Sequence, residues 1–468
     1  MSDPSYLAAL EFLATLLPEL AASEAAQPVR PPVPLDRAQA LVPPLGAKAR
    51  PLPEVLASLR ALALNTPLTT TPQFFNQLFG GRDPAATAAD MITAHLNVSM
   101  YTYKAAGPLV LVENALIEHM LAIAGFTAGE ATFTNGGSLS NLLAVALARN
   151  EAQARRGDPD PDPDQAGQWT GKWALYTSAE AHYSMPKAAT ILGLGRGAVR
   201  VIEIDEQGRM IPAALAARLR ADLQAGVRPV LINATLGTTV MGAFDPLEPI
   251  AEIANQHGIW LHADGALGGS LLLSRERRAQ LFAGLERCDS LTWDAHKLMG
   301  VPLTCSALLL REPGLLDRHL GEDAHYLFQT DEDQLNPGLR SIQCGRRNDP
   351  LKLWAAWQHH GDDGYDARFA QLFALRDHVV ARIDAHPDLR MSHAPQSLNV
   401  CFEMDGVSSE QLCLQLNQRG LAVVGYGRVN GRDTIRLVIA NPAQTSAVLD
   451  QFLEDLVATG SELRRASS

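Results

Sequence analysis

The chain has 468 residues, of which 47% are hydrophobic and 19% charged, so it has ample material for a large buried core. Lysine and arginine total 39 against 51 aspartates and glutamates, a net charge of −12. That balance excludes a general nucleic-acid binder, which needs a basic surplus to displace counterions from phosphates. An anionic substrate stays open, because a few residues set a pocket's own field. Length alone suggests about three domains, a prior that α/β enzymes often exceed with fewer.

Residues 1–61 read as an arm, with an amphipathic helix near Tyr6–Leu20 followed by the linker QPVRPPVPLDRAQALVPPLG. Prolines at that density oppose helix and sheet alike. Such an arm has no evident core of its own and suits wrapping around a partner subunit; a disordered leader is the other reading. The apolar start has no basic segment before it and carries Glu11 and Glu19, unlike a signal peptide. No stretch is expected to reach the length of a membrane span. The five cysteines, Cys288, Cys305, Cys344, Cys401 and Cys413, are odd in number and widely spaced, which suggests neither disulfides nor a zinc site. The expectation is a soluble protein of the reducing cytoplasm, with no metal and no membrane partner.

Residues 62–343 alternate β-rich runs with Ala- and Leu-rich helical stretches. The runs are WALYTS, AVRVIEI, PVLINAT, GIWLHAD, SLTW and CSALLL. This alternation predicts a mainly parallel sheet covered by helices on both faces. The acidic, Pro-rich segment 155–169 reads as a surface insertion. Over residues 344–468, helical patterns surround LNVCFEM and TIRLVIA, which predicts a smaller α+β domain.

Four features carry chemistry. The run ATFTNGGSLSN goes from strand through a Gly-Gly-Ser turn to a helix. Its first N–H groups, with the hydroxyls of Ser138 and Ser140, could cradle a phosphate or form an ordinary turn and cap. Asp264, in HADGALGG, should sit at the carboxyl end of a strand, where α/β sheets bind ligands, or cap a helix. Lys297, in WDAHKLMG, has apolar flanks and is one of only six lysines. Desolvation there would favour a reactive amine, whereas a turn lysine on the surface is the plainer reading. His182 follows another strand end and could stack on a planar ligand, move a proton or satisfy the core. Pyridoxal phosphate uses all four at once, through its phosphate, pyridine nitrogen, aldehyde and aromatic face.

In order and local sequence the chain resembles the group II pyridoxal-phosphate-dependent amino-acid decarboxylases, in the glutamate and cysteine-sulfinate branch. The resemblance runs from about Phe74 to Pro442 through FFNQLFGG, SMYTY, GGSLSN, HYSMPKA, NATLGTTVMGAFDP, HADGALGG, HKLMG, YLFQ, SIQCGRR and IRLVIANP. It implies a fold type I, aspartate aminotransferase-like α/β domain with a mainly parallel seven-stranded sheet, and a homodimer with sites at the interface. It implies that Lys297 forms the Schiff base, Asp264 pairs with the pyridinium nitrogen and His182 stacks on the ring, with Ala266 on the opposite face. Ser138, Leu139 (through its backbone), Ser140 and His296 would surround the phosphate, and Thr235 would lie near the ring hydroxyl. Gln77 and Arg436 would hold the substrate carboxylate, a task suited to the arginine fork.

The departures from the family pattern bear on the reaction. Asp294 and Ala295 stand where the family has Asn-Pro, Gly265 where it has Ala, and Lys104 where it has Glu. The segment TDEDQLNPGLRS, between YLFQ and IQCG, lacks the family's loop tyrosine, which reprotonates the α-carbon. His325 or a partner-subunit residue could replace it. The expected activity is therefore α-decarboxylation of a small acidic L-amino acid to amine and CO₂. The alternative is decarboxylation-dependent oxidative deamination or transamination, giving an aldehyde.

Overall fold

The computed structural model describes residues 4–154, 172–322 and 335–467. The insertion at 155–169 and His325 lie outside the described residues. The chain divides into two compact units: residues 1–81 with 375–392 and 400–468, and residues 82–374 with 393–399. The N-terminal segment and the C-terminal sheet thus share one unit, whereas the sequence suggested an arm ending at 61 and a separate small domain from 344. The helix Pro350–Asp384 carries the chain from one unit into the other without a linker, broken in its helical geometry only at Gly361 (φ 62°).

The larger unit is built on a seven-stranded sheet. Its strands are β1 (Glu130–Thr134), β2 (Lys172–Ser178), β3 (Val199–Ile202), β4 (Val227–Thr235), β5 (Trp260–Gly265), β6 (Ser290–Asp294) and β7 (Ser306–Leu310). Their order is β1-β7-β6-β5-β4-β2-β3. Neighbouring pairs from β3 to β6 are parallel, and β7 alone runs antiparallel, to β6 and to β1. The expected α/β class with a mainly parallel sheet is what the chain forms. Strands β1, β5, β6 and β7 are buried along their whole length, which is why they read as apolar runs and not as alternating ones. Helix Gly137–Ala154 lays Leu143, Val145 and Leu147 against Leu175, Leu231, Trp260 and Leu308 in one cluster. Each such large side chain, fully buried, contributes roughly 1.5–3 kcal/mol.

The smaller unit holds a four-stranded antiparallel sheet, ordered β10 (Gly425–Val429), β11 (Arg432–Val438), β9 (Asn399–Met404) and β8 (Leu389–Met391). Residues 73–76 join it, because Phe75 N donates to Val423 O and Val438 N to Phe75 O. Helix Pro4–Ala26 packs on helix Leu52–Asn65, and Arg60 pairs with Glu19. One expectation is corrected here: this 23-residue helix, with mean hydropathy 1.3, is long and apolar enough to cross a membrane by length and composition. Its Ala- and Leu-rich run continues past Leu20, where the sequence reading stopped. Tyr6, Leu10, Leu13 and Leu17 are all exposed, spaced so as to lie on one stripe of the helix.

All five cysteines are free, four buried and Cys344 exposed. Among the described residues, no group of three or more His, Cys, Asp or Glu side chains is arranged to hold a metal.

One buried ion pair ties the SIQCGRR segment to the larger unit. Arg346 Nη2 lies 2.7 and 2.9 Å from the two Glu113 oxygens, and both side chains are 2% exposed. Replacing the arginine strands the Glu113 charge in the interior. Arg346→Ala should cost about 3–5 kcal/mol, read as a lower urea midpoint; an unchanged midpoint would show that Glu113 finds another partner.

Candidate active site

The carboxyl ends of the parallel strands share one edge of the sheet, and the predicted residues gather there. Thr134 ends β1, Thr235 ends β4, Asp264 and Gly265 end β5, and Asp294 ends β6. Cross-strand register sets Thr235 beside Asp264, and Asp264 beside Thr292. After β1 the chain turns through Gly136 (φ 102°) into helix Gly137–Ala154. Ser138 is exposed, Leu139 half-buried and Ser140 buried at the start of that helix. Thr134 Oγ1 and Ser140 Oγ are 2.6 Å apart. A helix start favours an anion through its N–H groups and its dipole.

Asp264 is 3% exposed. Its Oδ1 accepts from Ala266 N at 3.2 Å and its Oδ2 from Asn141 Nδ2 at 2.8 Å. Each oxygen keeps a further lone pair for a ligand. Thr235 is buried too, with its N–H bound to Asp245 Oδ2 at 2.7 Å. Burial pushes the Asp245 carboxyl up to about 7.

Lys297 follows β6 in a tight turn and is half-buried. Its Nζ lies 3.5 Å from Asp294 Oδ2, and His296 Nε2 lies 3.7 Å from the same oxygen. His296 is locked from behind, with Nδ1 3.0 Å from Cys305 O and 3.1 Å from Cys305 N. Burial lowers its pKa. His182 comes after β2, with Nδ1 accepting from Ser184 N at 3.2 Å and its ring 4.0 Å from that of Tyr183. Burial lowers its pKa, and the charges of Asp264, Lys297 and Asp294 all bear on it. Lys297, Asp264, His182, His296, Ala266, Thr235 and the Ser138–Ser140 turn therefore all lie in the larger unit, around the strand ends.

Gln77 and Arg436 belong to the smaller unit. Gln77 is exposed. Arg436, on β11, donates from Nη2 to the carbonyl of Asn76, next to Gln77. Burial lowers the pKa of its guanidinium. The sequence analysis missed two residues that contact this machinery, Asn141 and His262. Both fall inside quoted motifs, GGSLSN and HADGALGG. Period two along a strand puts His262 on the same face as Asp264, which was the available signal.

These residues fit pyridoxal phosphate. A half-buried lysine, a buried carboxylate with spare lone pairs and a helix start for the phosphate stand at one sheet edge. Asp294 Oδ1 is buried without a hydrogen-bond partner, an acceptor left for a donor at this edge. The turn is also close: a Cβ on Gly137 would meet Asp294 Oδ2 at 2.7 Å and the Ala266 methyl at 3.1 Å, so a larger residue there would crowd the helix start.

Comparison with known proteins bears on the same assignment. The pyridoxal-dependent decarboxylase conserved domain matches residues 42–405. Human cysteine sulfinic acid decarboxylase is 40% identical over 433 residues, covering 88% of this chain and 86% of that protein. An acidic amino acid decarboxylase from mouse is 36% identical, covering 84% of this chain and 74% of its own length. The crystal structure of the mouse cysteine sulfinic acid decarboxylase superposes with a TM-score of 0.87 at 36% identity, covering 96% of this chain and 99% of that one. An Oryza sativa structure determined with pyridoxal phosphate and tryptamine shares the fold, with a TM-score of 0.90 at 22% identity over 99% of this chain and all of that one. With this fold, this domain match and relatives at 40% identity, the chain is a member of the pyridoxal-phosphate-dependent decarboxylase family and acts on amino acids with pyridoxal phosphate as its cofactor.

Proposed function

We propose that this protein removes the α-carboxylate of a small acidic L-amino acid, of the cysteine sulfinate, glutamate or aspartate class, releasing the amine and CO₂. The observation that carries the acidic class is Arg436. It is a largely buried guanidinium beside Asn76 and Gln77, in a chain whose relatives include decarboxylases of cysteine sulfinic acid and of acidic amino acids. A desolvated arginine pairs a carboxylate or sulfinate through two parallel hydrogen bonds.

Pyridoxal phosphate supplies an aldehyde that captures the substrate amine and a ring that takes up the electron pair left when CO₂ departs. The chain's own residues bind and orient. Lys297 would hold the cofactor through its side-chain amine. Asp264 keeps a negative charge where the protonated ring nitrogen needs one. His182 and Ala266 would flank the ring, and Thr235 would lie towards its hydroxyl. Ser138, the backbone of Leu139, Ser140 and His296 would hold the phosphate. Gln77 and Arg436 would bind the substrate carboxylate.

The working form is a homodimer. Support comes from the apolar stripe of helix Pro4–Ala26, which leaves Tyr6, Leu10, Leu13 and Leu17 in solvent on one protomer. The lack of any tyrosine in residues 330–341 favours one second reading, in which decarboxylation is followed by oxidative deamination, with O₂ as the oxidant, or by transamination, with the amino group retained by the cofactor, so that an aldehyde leaves instead of an amine. A screen of acidic amino acids for CO₂ release, with mass spectrometry of the organic product, separates the two. No CO₂ from any of them would overturn both.

Two further outcomes are expected. Borohydride reduction of the loaded enzyme followed by peptide mapping should place the cofactor on Lys297; a label on any of the other five lysines would move the site. Arg436→Lys should raise KM by about 10-fold or more, since a point ammonium cannot replace the fork. The visible absorption of the bound cofactor should not change, because Arg436 serves the substrate end. A parental KM would remove Arg436 from the substrate site.

A further inference from the structure

Behind Asp264 runs a buried chain of hydrogen bonds with a single allowed direction. Trp260, His262 and Asp264 alternate onto one face of β5, and Ser290, Thr292 and Asp294 onto the matching face of β6. Register pairs His262 with Ser290 and Asp264 with Thr292. The Trp260 indole N–H can only donate, and Ser290 Oγ accepts it at 2.8 Å. The Ser290 hydrogen is then free for His262 Nδ1, 2.7 Å away. Burial pushes the His262 imidazole down to about 4, so at neutral pH it carries one ring hydrogen, and that hydrogen is on Nε2. Nε2 lies 3.0 Å from Asn141 Oδ1 and donates to it.

Asn141 is where the chain meets the site. Its Oδ1 accepts from His262 and, at 2.8 Å, from Thr292 Oγ1. Its Nδ2 donates to Asp264 Oδ2 at 2.8 Å and to Ser184 Oγ at 2.9 Å. Both lone pairs and both hydrogens of the amide are used, with Asn141 1% exposed. Turning the amide over would aim oxygen at a carboxylate and NH₂ at two donors, so the orientation is fixed.

We propose that Asn141 and His262 are positioning residues that hold the Asp264 carboxylate and aim it at the cofactor ring, with Ser290, Trp260 and Thr292 setting their hydrogens. The proposal rests on the reading of Asp264 as partner of the ring nitrogen. A buried carboxylate is held by the donors that face it, and the side-chain donor to Asp264 is Asn141. Without that donor the carboxylate is less well aimed at a ring nitrogen, and the ring becomes a weaker acceptor of electrons.

The test compares Asn141→Ala, His262→Phe, His262→Gln, Thr292→Val and Asp264→Asn in the full-length protein. Three quantities are read: kcat with KM, the visible spectrum of the bound cofactor, and the cofactor's Kd from titrating cofactor-free protein. Asn141→Ala should lower kcat by about 10- to 100-fold, as loss of an outer-shell partner does, leave KM for the amino acid nearly unchanged, raise the cofactor's Kd and shift the spectrum in the direction of Asp264→Asn. His262→Gln, which retains an N–H, should stay closer to the parent than His262→Phe. If His262→Phe fails to fold, Thr292→Val removes the other donor to the same amide oxygen and should give the same spectral shift. A parental kcat and spectrum in Asn141→Ala and Thr292→Val, beside a crippled Asp264→Asn, overturn the positioning role alone. A near-parental Asp264→Asn overturns the reading of Asp264 itself.

Discussion

Holding a buried carboxylate at the end of a buried sheet is the constraint on which the proposed site depends. Asp264 is almost out of solvent, next to the last residue of a strand whose every residue is buried. An ionised group in such surroundings would neutralise itself unless hydrogen-bond donors face it. The donors come from two directions: Ala266, two residues on, and Asn141, on the helix that crosses the sheet face. That requirement explains why one face of β5 and β6 carries His262, Ser290 and Thr292 inside an otherwise apolar core. The polar residues form a satisfied network, and the opposite face stays hydrophobic, with Leu261, Leu291 and Trp293.

The same helix serves two purposes. Its start, at Gly136 and Gly137, supplies the proposed phosphate cradle, and Asn141, about one turn later, reaches Asp264. A rigid helix therefore fixes the spacing between the proposed phosphate site and the proposed ring-nitrogen site. Its apolar residues Leu143, Val145 and Leu147 bury against β2, β4 and β7, so core packing and cofactor geometry are linked through one element. Sites held on scaffold elements of this kind keep their geometry better than sites built on loops.

Much of this was legible in the sequence. Alternating β-rich and helical runs gave the α/β class, because a parallel sheet buried on both faces must be written in continuous apolar strands. The scarcity of lysine drew attention to Lys297, and the strand-end rule drew attention to Asp264. Other features were hidden for physical reasons. The division into units was not legible because helix Pro350–Asp384 passes through the boundary with no Pro- or Gly-rich linker to mark it. Asn141 and His262 were not singled out because a buried polar residue looks like any other until its partners are known. The first helix runs past Leu20 to Ala26 through an Ala-rich stretch of high helix propensity, where Arg60 pairs with Glu19.

Asp294 shows how a local charge pattern departs from both the family pattern and the global balance. Where the family has a neutral asparagine, this chain puts a second buried carboxylate, 3% exposed, close to the helix start and 3.5 Å from Lys297 Nζ. An anion there is already favoured by the helix dipole. It therefore occupies, electrostatically, part of the region proposed for the cofactor phosphate. Two groups can offset it at close range, the Lys297 ammonium and the His296 imidazole, and burial holds the latter towards its neutral form. The chain's net charge of −12 has no bearing on that local balance. It is set by Asp294 and Asp264 against one lysine, over distances shorter than the screening length of physiological salt, about 8 Å.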